Sequence, residues 1–205
     1  MGELLAKRLG YLYFDTGVMY RAVTCAALQR GLNVASEGQI SQLAERLQID
    51  VLPPTVADGR QNTVLADNVD ITDKLRSAEI DANVSTVASY ARVRAAMVRQ
   101  QRAIGERGRV VMIGRDIGTV VLPHSELKVY LTASVEERAR RRQRENAQRG
   151  DGSSYADVLR MMRRRDELDM GRENSPLRPA PEAHLVDSER LRAAEIVDSI
   201  EQLWK

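Results

Sequence analysis

The chain has 205 residues, enough for one domain with a real core, and its 43% hydrophobic and 29% charged residues are an ordinary globular mix. A net charge of +2 gives no bulk reason to bind nucleic acid, and 4% aromatic residues are too few for the stacking platform of a single-strand binder. Cys25 is the only cysteine, which excludes an internal disulfide and a cysteine-based metal site. No apolar run is long enough to span a bilayer and the N-terminus does not read as a secretion signal, so a cytoplasmic protein is expected.

In chain order, Glu3–Leu9 reads as a helix with Leu4, Leu5 and Leu9 on one side, although it lacks a start signal. Tyr11–Phe14 is a short strand. Asp15 or Thr16 can cap the next helix, which runs to about Arg30 and stops at Gly31. Ser36 and Gln39 have the spacing of a capping box before a helix bearing Ile40, Leu43, Ala44 and Leu47. Between 49 and 72, Pro53-Pro54, Asp58-Gly59 and Asp67-Asn68 punctuate short stretches such as Thr63-Val64-Leu65, which predicts a small antiparallel insert. Helical sequence resumes near Ser77 and continues to about Arg107, with a break near Ser89–Ala91. Arg109–Ile113 is a nearly unbroken apolar run, predicting a buried parallel strand. Leu127–Leu131 predicts another strand, and Ser134 with Glu137 opens an arginine-rich helix. After a break at Gly150–Ser153, a second helix runs from about Tyr155 to Asp169. Ser175–Pro181 is a loop, Ala183–Val186 a last strand and Glu189–Leu203 a last helix. The alternation predicts an α/β fold, a parallel sheet flanked by helices.

Of the 31 basic residues only Lys7, Lys74, Lys128 and Lys205 are lysine, leaving 27 arginines, whose planar fork matches phosphate and carboxylate. A GC-rich genome also produces that bias, so placement carries the argument. GRDIGTVV follows the strand at 109–113, at the carboxyl end where open α/β sheets bind ligands. There Arg115 can fork onto a phosphate and Asp116 can accept from an amino group; a structural ion pair beside a glycine turn fits equally. DTGVMYR starts a helix, whose free N–H groups attract anions, with Tyr20 and Arg21 one turn in; an ordinary cap with a surface arginine is the alternative. Arg138, Arg140, Arg141, Arg142, Arg144 and Arg149 crowd one helix, and Arg163, Arg164, Arg165 and Arg172 follow with Asp166, Glu167 and Asp169. Arg165 and Asp169, four apart, share a face. The pair of helices reads as a lid closing over a polyphosphate, as a solvated hairpin, or as an RNA-binding face. His124 and His184 lack partner sets and read as structural, and Met161-Met162 reads as core.

DTG-x-MYR, VS-x-VA with a downstream VR (Val84–Ala88, Val93-Arg94), GRDIGTVV, ERARRRQRE and RD-x-x-D-x-x-R, collinear from about residue 2 to 205, together resemble bacterial cytidylate kinase. The resemblance implies a single P-loop nucleoside-monophosphate-kinase domain over 1–205, a CMP-binding insert at about 49–90 and a helical lid at about 138–172. It implies transfer of the γ-phosphoryl group of ATP to CMP or dCMP with Mg²⁺, by a protein expected to be monomeric and to bind neither nucleic acid nor membrane. Ser85, Arg94 and Asp116 would read the cytosine, and Arg21 and Arg115 would hold the CMP phosphate. Arg165, Asp169 and Arg172 would contact ribose and phosphates, with Arg115, Arg165 and Arg172 as the catalytic arginines. Asp15, Thr16 and Tyr20 would shape the pocket floor, and Arg142 would belong to the ATP side.

Two departures stand out. No G-x-x-x-x-G-K-[ST] loop occurs, and Met1–Leu9 matches only the helix that follows that loop in the family. The first strand and the P-loop are therefore missing, and the expectation is that the gene product starts upstream of Met1. The alternative is a truncated, catalytically impaired CMP-binding protein. Ile113 stands where an acidic residue often precedes the GRD.

Overall fold

A computed structural model describes residues 1–148, 150–171 and 175–204. The chain divides into two compact units, Gly2–Ile117 and the chain from Gly118 onward.

The first unit opens with α1 (Gly2–Leu9), which buries Leu5 and Ala6. It lies against β1 (Leu12–Asp15) and β5 (Val110–Ile113), a parallel pair in register from Leu12↔Val110 to Asp15↔Ile113. α1 packs so closely that a β-carbon on Gly2 would sit 2.0 Å from Ile113 Cδ1. β5 is half-buried along its length, not buried as its apolar run predicts. Among the described residues it has one strand partner, so hydrophobicity alone overstated its cover.

α2 (Gly17–Gln29) is short on polar residues because most of its surface is inside: Met19, Tyr20, Ala22, Val23, Thr24, Cys25, Ala26 and Ala27 are buried. Burial pushes the Cys25 thiol pKa up, so this cysteine is packing and not chemistry. The chain leaves α2 through Gly31 at φ +64°, the left-handed turn that stops a helix. α3 (Glu37–Arg46) buries Ile40, Leu43 and Ala44, with Leu47 next in the same stripe. Its expected capping box does not form, since the Ser36 side chain makes no cap hydrogen bond.

β2 (Ile49–Leu52), β3 (Thr63–Ala66) and β4 (Val69–Asp70) make the antiparallel sheet that the turn signals predict. The β3–β4 turn puts Asp67 and Asn68 at positive φ, residues that tolerate it. Arg60 staples this sheet: its Nη1 lies 2.6 Å from Asp70, its Nη2 2.6 Å from Asp58 and 3.5 Å from Asp73. Bonds from the Thr72 hydroxyl and backbone, then Arg60, hold the Asp70 carboxyl down at about 2.

A 3₁₀ turn (Thr72–Arg76) leads to α4 (Ala78–Val87), capped by Ser77 Oγ, which accepts from the Ile80 amide at 3.2 Å. α5 (Ala91–Gly105) buries Val93, Met97 and Ile104 in the core that also holds Phe14, Met19, Ile40 and Val64. Side chains of this size contribute about 1.5–3 kcal/mol each when buried. Arg92–Glu45 at 2.9 Å ties α5 to α3, and Arg107–Asp50 at 2.7 Å ties the turn after α5 to β2.

In the second unit β6 (Val129–Thr132) and β7 (His184–Asp187) pair in parallel. α6 (Val135–Gln148), α7 (Tyr155–Met170) and α8 (Ala193–Leu203) accompany them. Ser134 caps α6 as expected, its Oγ accepting from the Glu137 amide at 3.1 Å. Ser154 does the same for α7. Met161 is 54% exposed, so the expectation that it packs in a core is wrong; it lies on the outward side of α7. α8 starts at Ala193, four residues later than expected, because Ser188 and Glu189 instead cap and bind the β6–α6 region.

Candidate nucleotide site

In the first unit the parallel pair ends at Asp15 and Ile113, and the segments DTGVMYR and GRDIGTVV leave it at the same carboxyl edge. Thr16 locks the two ends together. It is 4% exposed, and its amide and its Oγ1 both donate to the Ile113 carbonyl, at 2.9 and 3.0 Å. Asp15 Oδ1 accepts from the Gly17 amide at 2.9 Å, at the start of α2. Nearby, burial and then the Asp15 and Glu3 carboxylates push the Tyr13 phenol up to about 12. Gly114 is needed for contact: a β-carbon there would lie 2.5 Å from Thr16 Oγ1 and 2.7 Å from Ile117 Cδ1.

That turn delivers Asp116 into the interior. Its Oδ2 accepts from Arg94 Nη2 at 2.6 Å, with side-chain exposures of 8% and 9%. Arg94 Nη1 donates to the Ala88 carbonyl at 3.3 Å, and the guanidinium carbon lies 5.5 Å from the centre of the Tyr20 ring. Arg94 Nε is buried with no protein acceptor. A buried donor left unmet costs about 1–3 kcal/mol, so this group is a donor waiting for an acceptor. The sequence placed Tyr20, Arg94 and Asp116 in one site, and the fold brings these three together.

Arg21, on α2, donates to the Leu75 carbonyl at 3.0 Å and pairs with Asp81 Oδ1 at 2.6 Å. Ser85 is exposed on α4, one turn beyond Asp81. Arg115 is half-buried beside Asp116. Sequence reasoning missed Asp81, the Ala88 carbonyl and the steric need for Gly114. Asp81 had a faint signal, its i, i+4 spacing from Ser85; the carbonyls had none.

In the second unit the helical pair is held by its own ions. Arg138 grips Asp166 with two bonds, at 3.1 and 2.6 Å, and Arg163 reaches Glu136 at 2.8 Å. Arg141 donates to Glu137 at 3.0 Å and to the Ser188 carbonyl at 2.5 Å. Arg142 pairs with Glu145 at 3.3 Å. Arg165 and Asp169 both lie on α7, where Arg165 is exposed and Asp169 is 1% exposed. Arg172 and Arg149 lie outside the described residues. His124 and His184 line an open cleft of about 340 Å³ with Glu126, Lys128 and Glu182. There Lys128 Nζ meets Glu182 at 2.9 Å. Among the described residues no three His, Cys, Asp or Glu side chains gather as a metal site.

A charged loop and a helix start at the carboxyl edge of a parallel pair place the chain among α/β proteins that take ligands at that edge. A family model described as cytidylate kinase matches residues 1–205. The chain is 50% identical over 197 residues to a cytidylate kinase of Chloroflexus aggregans, covering 96% of this chain and 84% of that protein. It is 53% identical over 169 residues to a cytidylate kinase of Herpetosiphon aurantiacus, covering 82% and 74%. It is 42% identical over 200 residues to a cytidylate kinase of Bacillus subtilis, covering 98% and 88%. The chain belongs to the cytidylate kinase family.

Proposed function

We propose that the protein transfers the γ-phosphoryl group of ATP to CMP or dCMP, giving the diphosphate, as a nucleoside monophosphate kinase of pyrimidine metabolism. Family membership carries the reaction, and the buried Arg94–Asp116 pair under Tyr20 is the observation that best supports the substrate. Cytosine carries an exocyclic amine beside ring acceptors. Asp116 accepts from such an amine, and Arg94 Nε donates to such an acceptor, so the base satisfies a donor that otherwise stays unmet. Ser85 joins them at the base. Arg21 and Arg115 hold the monophosphate, at the start of α2 where the helix dipole favours an anion. Asp15, Thr16 and Tyr20 fix the floor.

In the second unit Arg165, Asp169 and Arg172 serve ribose and phosphates and Arg142 the ATP side, with residues 138–172 as a lid. Its arginines exchange their present carboxylates for phosphate oxygens, a change of partner between chemically similar anions. Residues 49–90 act as the CMP-binding insert of a single kinase domain. Mg²⁺ supplies charge neutralisation on the ATP phosphates. Among the described residues no three His, Cys, Asp or Glu side chains gather to hold it. A monomer working in the cytoplasm, without nucleic-acid partners, completes the reading; no described helix is long and apolar enough to cross a membrane.

Relatives' names favour this over a binding-only protein, while the sequence itself contains no G-x-x-x-x-G-K-[ST] loop. The test is the native protein from its source cells, given ATP, Mg²⁺ and CMP, dCMP or UMP. CDP and dCDP formation with at least tenfold discrimination against UMP is expected. CMP binding with no CDP formed would refute the kinase, and equal use of UMP would refute the assignment of Asp116 and Arg94.

A further inference from the structure

Asp81 pairs with Arg21, the arginine proposed to hold the substrate phosphate. We infer that Asp81 is a built-in competitor for that phosphate: its carboxylate occupies the Arg21 guanidinium until the monophosphate displaces it. The inference rests on the proposed role of Arg21 as a phosphate anchor.

Arg21 is bound on two sides. The Leu75 carbonyl takes Nη1 at 3.0 Å and fixes the fork, while Asp81 Oδ1 takes Nη2 at 2.6 Å. A carboxylate and a phosphate offer the guanidinium the same kind of oxygen, so ligand binding exchanges one anion for another at a fork already in place. The two sides differ in exposure. Arg21 is 29% exposed and Asp81 58%, so solvent and solutes reach the pair from the Asp81 side. Exposed pairs of this kind are weak, and a doubly charged phosphate outcompetes a single carboxylate. Asp81 also has somewhere to go. It sits in the first turn of α4, behind the Ser77 cap, where the helix dipole stabilises a released carboxylate. Asp81 therefore lowers affinity for the monophosphate without touching the base, and does so less as salt rises.

The experiment measures binding of CMP and of cytidine, which lacks the phosphate, to the full chain by calorimetry at low and high salt. Asp81→Asn keeps the side-chain size and removes the charge. It is expected to tighten CMP by about threefold to fivefold, equivalent to about 0.7–1 kcal/mol, to leave cytidine unchanged, and to lose most of this gain in high salt. Unchanged or weaker CMP binding overturns the inference, as does equal tightening of cytidine. Arg21→Met separates the two claims. If it lowers CMP binding but not cytidine binding, the anchor stands and Asp81→Asn alone decides. If it leaves both alike, the anchor reading fails and the inference falls with it. Asp81→Ser, smaller and also neutral, must match Asp81→Asn in direction; an opposite sign would likewise overturn competition.

Discussion

Removing the Asp116 carboxylate should cost the fold more than removing the whole ion pair. Arg94 and Asp116 are nine-tenths buried and 2.6 Å apart. Asp116→Ala leaves the Arg94 guanidinium in the interior without its carboxylate, facing the Ala88 carbonyl and the Tyr20 ring. Breaking one side of such a pair costs about 3–5 kcal/mol, whereas replacing both partners with apolar residues is often near neutral. Total stabilities are about 5–15 kcal/mol, so the single change takes a large share. Urea unfolding followed by circular dichroism should give Asp116→Ala a loss of about 3–5 kcal/mol. Arg94→Met should lose a similar amount, since it removes the guanidinium that the buried Asp116 carboxylate pairs with. The double variant Arg94→Met/Asp116→Leu should recover at least about half of either loss. If each single change costs under about 1 kcal/mol and the effects simply add, the pair is not the desolvated element described, and both the energetic argument and its use in base reading fail.

Other outcomes follow from neighbouring features. Gly114→Ala forces its β-carbon to within 2.5 Å of Thr16 Oγ1; a loss of about 1–3 kcal/mol is expected, along with weakened CMP binding, read by urea melts and calorimetry. Thr16→Val removes the hydroxyl bond to the Ile113 carbonyl and should cost about 1 kcal/mol in the same melts. The Asp70 carboxyl is depressed to about 2, first by the Thr72 hydroxyl. Its contribution is therefore complete above the ordinary carboxylate value of about 4 and is lost as pH falls through about 2. A carbon-detected NMR titration should find this low value in the native chain and a higher one in Thr72→Ala. The half-buried Tyr13 phenol should ionise near pH 12 by ultraviolet titration, and a normal value near 10 would contradict the partial burial and carboxylate neighbours described.

What could be read from the sequence was what local chemistry dictates. The 3.6-residue stripe of Ile40, Leu43, Ala44 and Leu47 gave α3, and turn residues at Asp58-Gly59 and Asp67-Asn68 gave the antiparallel sheet. Ser77 and Ser134 capped their helices through short-range bonds that spacing reveals. Misses arose where neighbours distant in sequence decide. The burial of β5 depends on what pairs beside it, and the outward side of α7 carries Met161 although its residue type suggests core. In the first unit of the candidate site, Tyr20, Arg94 and Asp116 were found by motif. Their supports, Ala88 and Thr16–Ile113, are backbone carbonyls and long-range contacts that leave no compositional trace.

Of the ion pairs named above, all but Lys128–Glu182 are made by arginine. A guanidinium does not lose its proton below about pH 12, whereas a lysine ammonium does near 10.4. Lysine acylation, which erases charge on many proteins, therefore finds almost nothing to erase here. The ion pairs made by arginine keep their charge under lysine acylation and in mild alkali.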